Sequence, residues 1–260
     1  MARFTCNFIS YTLQRAVDIT VIVPSVTIPE AGEGSPEVCR HSREAKYPVL
    51  YLLHGYGNNH ATWTGYTNAE LYAEERNIAV VMLSAENKFY LNNETDRFFD
   101  FVSGELPDFV RGMFPVSRRP EDTYIAGLSM GGFGALIHGL TNPEQYAGIG
   151  AFSAAVKLKG ERLAGIGLEA GGNDPLQAAA RNVEAGKKLP PLYIACGEDD
   201  FLFAADQEFR DELRALGADI TWEQLAGFGH EWRFWDQELE KFLDWIPRTD
   251  AYASVKKRQV

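Results

Sequence analysis

Apolar and polar positions along this chain recur with two periods. Residues 4–10 and 18–24 alternate, with β-branched Val17, Ile19, Val21 and Val23, which predicts two strands joined by a turn. Residues 48–53, 78–83, 124–126, 148–152 and 191–196 are short, nearly unbroken apolar runs, the mark of strands buried on both faces of a parallel sheet. Residues 220–225 read as a further strand. Helical spacing appears at 67–76, at 100–113 (Phe101, Leu106, Phe109, Val110), after Ser129 to Leu140, at 175–185 behind Pro175, at 203–216 and at 232–245. Three stretches carry neither period. Residues 28–46 are rich in Pro, Gly, Glu and Ser and predict an exposed loop; about 155–190 predicts a cap-like insertion ahead of and around its helix; about 248–260 predicts a frayed tail. Strands alternating with helices give an α/β class: a mainly parallel central sheet, an N-terminal antiparallel hairpin, helices on both faces, and a single domain over 1–260.

Composition narrows this picture. With 260 residues and 45% hydrophobic content, the chain can bury one large core. A formal charge of −11 argues against nucleic acid or an anionic membrane as partner. No apolar run is long enough to span a bilayer. The first twenty residues lack a basic region followed by an apolar core, so no secretory signal is expected. Cys6, Cys39 and Cys196 are sparse and lack metal-ligand spacing, which fits a reducing cytoplasm and no metal site.

The candidate chemistry centres on residues 123–140. A short β-favouring run enters Gly127-Leu128-Ser129-Met130-Gly131 and a helix leaves it. Such an elbow lifts a serine hydroxyl above the sheet edge, beside unpaired N–H groups of the first helical turn that can stabilise an oxyanion. A nucleophilic serine needs a base within hydrogen-bond reach, and the base needs a carboxylate to fix its tautomer. Predicted strand ends supply both: Asp199 or Asp200 after the strand at 191–196, and His230 between the strand at 220–225 and the last helix. The chain order Ser, Asp, His is the α/β-hydrolase order. His54, ahead of a glycine turn, reads as a brace for an oxyanion loop. It joins Trp63, Phe89 and Tyr90 as residues of loops expected to rim a substrate pocket. His41, His60 and His138 read as surface or packing residues.

These residues resemble the esterase D-related "putative esterase" group of α/β-hydrolases, which includes tributyrin, acetyl and feruloyl esterases, S-formylglutathione hydrolases and mycolyltransferases. The likeness is carried by residues 48–55, by Gly127 to Gly132, by Gly197-Glu198-Asp199-Asp200-Phe201-Leu202 and by Gly229-His230-Glu231-Trp232. Asn87 to Tyr90, followed by Glu105-Leu106-Pro107, is most similar to the tributyrin/acetyl branch. The resemblance implies Asp200 as the triad acid, with Asp199 as fallback, and the backbone N–H groups of Tyr56 and Met130 as oxyanion donors. It also implies a serine carboxylesterase acting on short acyl esters through an acyl-enzyme. Feruloyl esterase, S-formylglutathione hydrolase and acyltransferase are the alternatives on the same triad. The implied partner is a small ester, no cofactor is needed, and relatives are often homo-oligomeric.

Overall fold

In the computed structural model, which describes residues 1–34, 44–157 and 173–260, eight strands form one sheet. They are β1 (Ala2–Ser10), β2 (Arg15–Val23), β3 (Val49–Leu53), β4 (Ala79–Leu83), β5 (Thr123–Leu128), β6 (Gly148–Phe152), β7 (Leu192–Gly197) and β8 (Ile220–Leu225). Their order is β1-β2-β4-β3-β5-β6-β7-β8. The β1–β2 hairpin is antiparallel, as is the β2–β4 pairing, and every pairing from β4 to β8 is parallel. From β3 the chain first crosses to β4, then returns to place β5 on the other side. The connections leaving β3, toward β4, and β5, toward β6, therefore diverge between these two strands, where parallel sheets form their clefts.

The helices are α1 (Ile28–Glu33), α2 (Thr62–Tyr66), α3 (Ala69–Glu75), α4 (Phe98–Asp100), α5 (Leu106–Met113), α6 (Met130–Thr141), α7 (Pro175–Glu184), α8 (Phe203–Ala215) and α9 (Trp232–Trp245), with α4 and α5 joined by a π-turn, Phe101–Glu105. The two-residue period of the strands explains why the sheet is covered twice. Val49, Tyr51 and Leu53 of β3 face a core built with α5 to α8, while Leu50 and Leu52 face a second core built with α2, α3 and α9.

Two loop assignments change. Part of the expected loop at 28–46 is the capped helix α1: Thr27 accepts from the Glu30 N–H and Glu30 reaches back to the Thr27 N–H. The remainder, with Cys39 and His41, lies outside the described residues, as does most of the expected insertion. The tail is anchored rather than frayed. Tyr252 stacks on Tyr47 at 5.0 Å, the Arg258 backbone N–H donates to the Glu75 carbonyl at the end of α3, and the Arg258 guanidinium donates to Asn77 and Glu30. Among the described residues no helix is long and apolar enough to cross a membrane.

Candidate active site

The turn from β5 into α6 places Ser129 at φ 52°, ψ −115°, a region that non-glycine residues avoid. Backbone bonds on both sides hold it there. Its N–H donates to the Phe152 carbonyl at 2.9 Å, and its carbonyl accepts from Ala155 at 2.9 Å and Phe133 at 3.0 Å. The glycines at either side are required by contact. A Cβ on Gly127 would lie 2.4 Å from the Gly131 carbonyl oxygen, and one on Gly131 would lie 2.3 Å from the Leu53 carbonyl oxygen.

Three strand ends bring their side chains together. His230, in the loop between β8 and α9, sets Nε2 3.0 Å from Ser129 Oγ and Nδ1 2.8 Å from Asp200 Oδ2. A carboxylate only accepts, so Nδ1 carries the proton and the Nε2 lone pair faces the serine hydroxyl. Asp200, after β7, also accepts the Leu202 N–H on Oδ1 at 2.9 Å. Burial pushes its carboxyl pKa up, but the His230 hydrogen bond, the Leu202 N–H, the imidazole charge and a bond from Ser153 outweigh that and hold it below the ordinary carboxylate range. Asp199 is exposed and spends its N–H on the Phe228 carbonyl, so its side chain stands apart from this chain of bonds. Two aromatic rings flank the imidazole: buried Trp235 at 4.9 Å and Phe201, 74% exposed, at 4.8 Å. The sequence reading missed both. Their signal was proximity in sequence to the acid and to His230, and nothing in a single ring's spacing marks it as touching a histidine.

The loop after β3 passes directly over Ser129: a Cβ on Gly55 would sit 3.6 Å from Ser129 Cβ. Its carbonyls are turned into the protein. Trp63 Nε1 donates to the Leu53 carbonyl at 3.0 Å, Tyr90 Oη to that of His54 at 2.8 Å, and His54 Nδ1 to that of Gly55 at 2.7 Å. Among the described residues neither the Tyr56 nor the Met130 N–H meets a protein acceptor, which leaves both donors free for a ligand.

The expected pocket residues are therefore elsewhere. His54, Trp63, Phe89 and Tyr90 are all buried, with exposures of 0%, 0%, 2% and 0%, and do not rim a mouth. Their rings are large enough to fill the space beneath the loop, and three of them use their polar atoms to orient it. His54 does brace this loop. Its Nε2 accepts the Ala85 N–H at 2.9 Å, so a second ring proton would point at another N–H. Burial, and to a lesser degree His60, push its pKa down to about 4 against the opposing pull of the Gly55 carbonyl. His60 bonds Thr20, and His138 is buried in packing. Among the described residues no cluster of His, Cys, Asp and Glu is arranged to hold a metal ion.

Comparison with known proteins agrees with this geometry. Residues 35–256 match the family model described as "Putative esterase". The acetyl esterase of Caldicellulosiruptor saccharolyticus is 30% identical over 272 aligned residues, covering 95% of this chain and 99% of its own. The fluorophosphonate-binding serine hydrolase FphF of Staphylococcus aureus superposes with TM-score 0.82 at 28% identity, covering 94% of this chain and 97% of its own. The S-formylglutathione hydrolase FrmB of the same organism gives 0.79 at 26% identity, covering 94% and 98%.

Proposed function

The chain belongs to the putative esterase family and is a carboxylic ester hydrolase of the α/β-hydrolase fold, and from that premise we propose that Ser129, His230 and Asp200 hydrolyse short-chain acyl esters through an acyl-enzyme. The observation that carries the reading is the unbroken chain of bonds from Ser129 Oγ through His230 to Asp200, at 3.0 and 2.8 Å.

Ser129 Oγ attacks the ester carbonyl as its proton passes to His230 Nε2. Asp200, kept ionised by its hydrogen bonds, stabilises the imidazolium that forms. The tetrahedral oxyanion is held by the N–H groups of Met130 and Tyr56; losing one such donor typically costs about 3–4 kcal/mol of transition-state stabilisation. His230 then protonates the departing alcohol, leaving the acyl group on Ser129. Water, deprotonated by the same imidazole, attacks that acyl-enzyme and regenerates the serine.

The name of the acetyl esterase relative favours acetyl as the acyl group. A second observation bears on the alcohol. The leaving oxygen must lie within reach of His230 Nε2, beside the exposed Phe201 ring, and the exposed Tyr56 side chain stands on the loop over Ser129. Both favour an alcohol half with a flat apolar face, such as an aryl alcohol, over a small aliphatic one. Acetyl, butyryl, octanoyl and feruloyl esters of one alcohol, tested side by side, fix the acyl preference. The short acyl esters should be turned over fastest, and a feruloyl or octanoyl optimum would contradict the reading. A product assay with added alcohols separates hydrolysis from acyl transfer. The two described cysteines, Cys6 and Cys196, are unpaired, in keeping with a cytoplasmic setting.

A further inference from the structure

The loop over Ser129 is held by Tyr90 Oη at the His54 carbonyl, and Tyr90 is in turn held by residues far from the reacting atoms. Its own carbonyl accepts a hydrogen bond from His138 Nε2 on α6 at 3.0 Å. Because a carbonyl only accepts, this fixes the proton on Nε2 and leaves Nδ1 to accept from the Ser103 hydroxyl, 3.0 Å away. Ser103 sits in the π-turn, where one extra residue interrupts the regular helical ladder, and such interruptions concentrate near functional sites. Phe99 stacks on the His138 ring at 4.4 Å, fixing its plane.

Two independent features show that this arrangement is built at a cost. Phe89 and Tyr90 both adopt positive φ, 52° and 60°, which non-glycine residues rarely do, least of all in succession. Facing them, α6 carries glycine at 134 where a Cβ would lie 2.5 Å from Tyr90 Cδ2 and 2.9 Å from Leu53 Cδ1. The helix gives up a side chain, and the loop accepts strain, so that one phenol can enter between α6 and β3. Packing alone would be served by a ring without a hydroxyl.

We propose that Tyr90 and His138 are positioning residues for the oxyanion loop: a relay from Ser103 through His138 and Tyr90 fixes the His54 carbonyl, and with it the path of the loop into the next peptide plane, Gly55–Tyr56, whose carbonyl His54 Nδ1 holds and whose N–H is that of Tyr56. The proposal rests on the reading of that N–H as an oxyanion donor. Neither side chain touches substrate. The relay acts on the transition state, because the donor it orients is used most strongly when charge develops on the carbonyl oxygen.

The test is Tyr90→Phe in the full chain, with p-nitrophenyl acetate as substrate and a methyl trifluoromethyl ketone as mimic of the tetrahedral intermediate. The expected result is a fall in kcat of about tenfold, KM within about twofold, and a loss of ketone affinity matching the loss of kcat/KM. A kcat within about twofold of wild type with unchanged ketone affinity overturns the proposal, whatever happens to Tm. Should Tyr90→Phe not fold, a pair at the next position decides: His138→Gln, whose amide can donate in place of Nε2, should retain kcat, whereas His138→Leu should lose it. Equal kcat in that pair overturns the proposal. Ser129→Ala is run alongside: an inactive variant leaves the outcome to the relay alone, while an active one removes the site reading beneath it.

Discussion

At the scale of single residues, the sequence leaves two candidates for the proposed acid, and their environments differ. Asp199 and Asp200 are neighbours in sequence with the same side chain, yet one carboxylate lies in solvent and the other receives His230 and the Leu202 N–H. Asp200→Asn should lower kcat roughly 10³–10⁴-fold, because an amide would favour the wrong imidazole tautomer. Asp199→Asn should stay within about threefold, and steady-state kinetics on both decide. The buried histidines make a second prediction. Burial pushes the His54 and His138 pKa values down to about 4, with the Gly55 and Tyr90 carbonyls opposing it. Between pH 4 and the unfolded value of about 6.5 the unfolded chain therefore binds more protons, so each histidine lowers stability as the pH falls through that window, by at most about 3 kcal/mol. Buried Asp206, whose carboxyl is pushed well up by burial, works in the opposite direction. His138→Gln isolates the effect: its urea-unfolding free energy should lose about 2 kcal/mol less than wild type between pH 7 and pH 5. Equal losses would show that His138 does not titrate in this window.

At the scale of elements, long periodic segments were legible and short capped ones were not. The strand at 148–152 lies where its unbroken apolar run put it and is buried along its whole length, the strand at 220–225 lies where it was expected, and the helix at 232–245 lies where the 3.6-residue period put it. Helix α1 has fewer than two turns and takes its definition from the Thr27–Glu30 capping box, a signal carried by two side chains rather than by periodicity. The burial of Trp63, Phe89 and Tyr90 was equally hidden. An aromatic residue in a loop reads the same whether it faces solvent or folds under that loop, and the gap left by Gly134 on another element decides which. Gly134→Ala makes this measurable. Alanine is the better helix former, but its Cβ would meet the Tyr90 ring, so the variant should be less stable by about 1–3 kcal/mol instead of more stable. An unchanged or raised Tm would show that the ring yields without cost.

Across the whole molecule, the mainly parallel sheet and the gathering of Ser129, Asp200 and His230 at one edge were foreseeable because the sequence places its reactive residues after strands, and parallel strands bring those ends together. The closure of the chain was not. A basic terminus rich in Lys and Arg has the composition of a solvated tail, yet Arg258, only 9% exposed at its side chain, pairs with Glu74, whose side chain is fully buried, and with Glu30. Removing one partner of a buried pair costs about 3–5 kcal/mol when the other is left unpaired; Glu74 keeps the N-terminal ammonium at 3.2 Å and the Ser25 N–H, so the cost here falls below that range. Arg258→Ala should lower Tm markedly while kcat stays near wild type, since the tail packs against α1 and α3 and not at the site. An unchanged Tm would restore the picture of a loose tail.

The account depends above all on Ser129 as the group that takes the acyl chain. Wild-type protein and Ser129→Ala, each incubated with a fluorophosphonate and mapped by peptide mass spectrometry, test this directly. One adduct on Ser129, matched by complete loss of esterase activity and absent from the variant, is the predicted result. Retained activity in Ser129→Ala, or an inactivating adduct on any other residue, would contradict it.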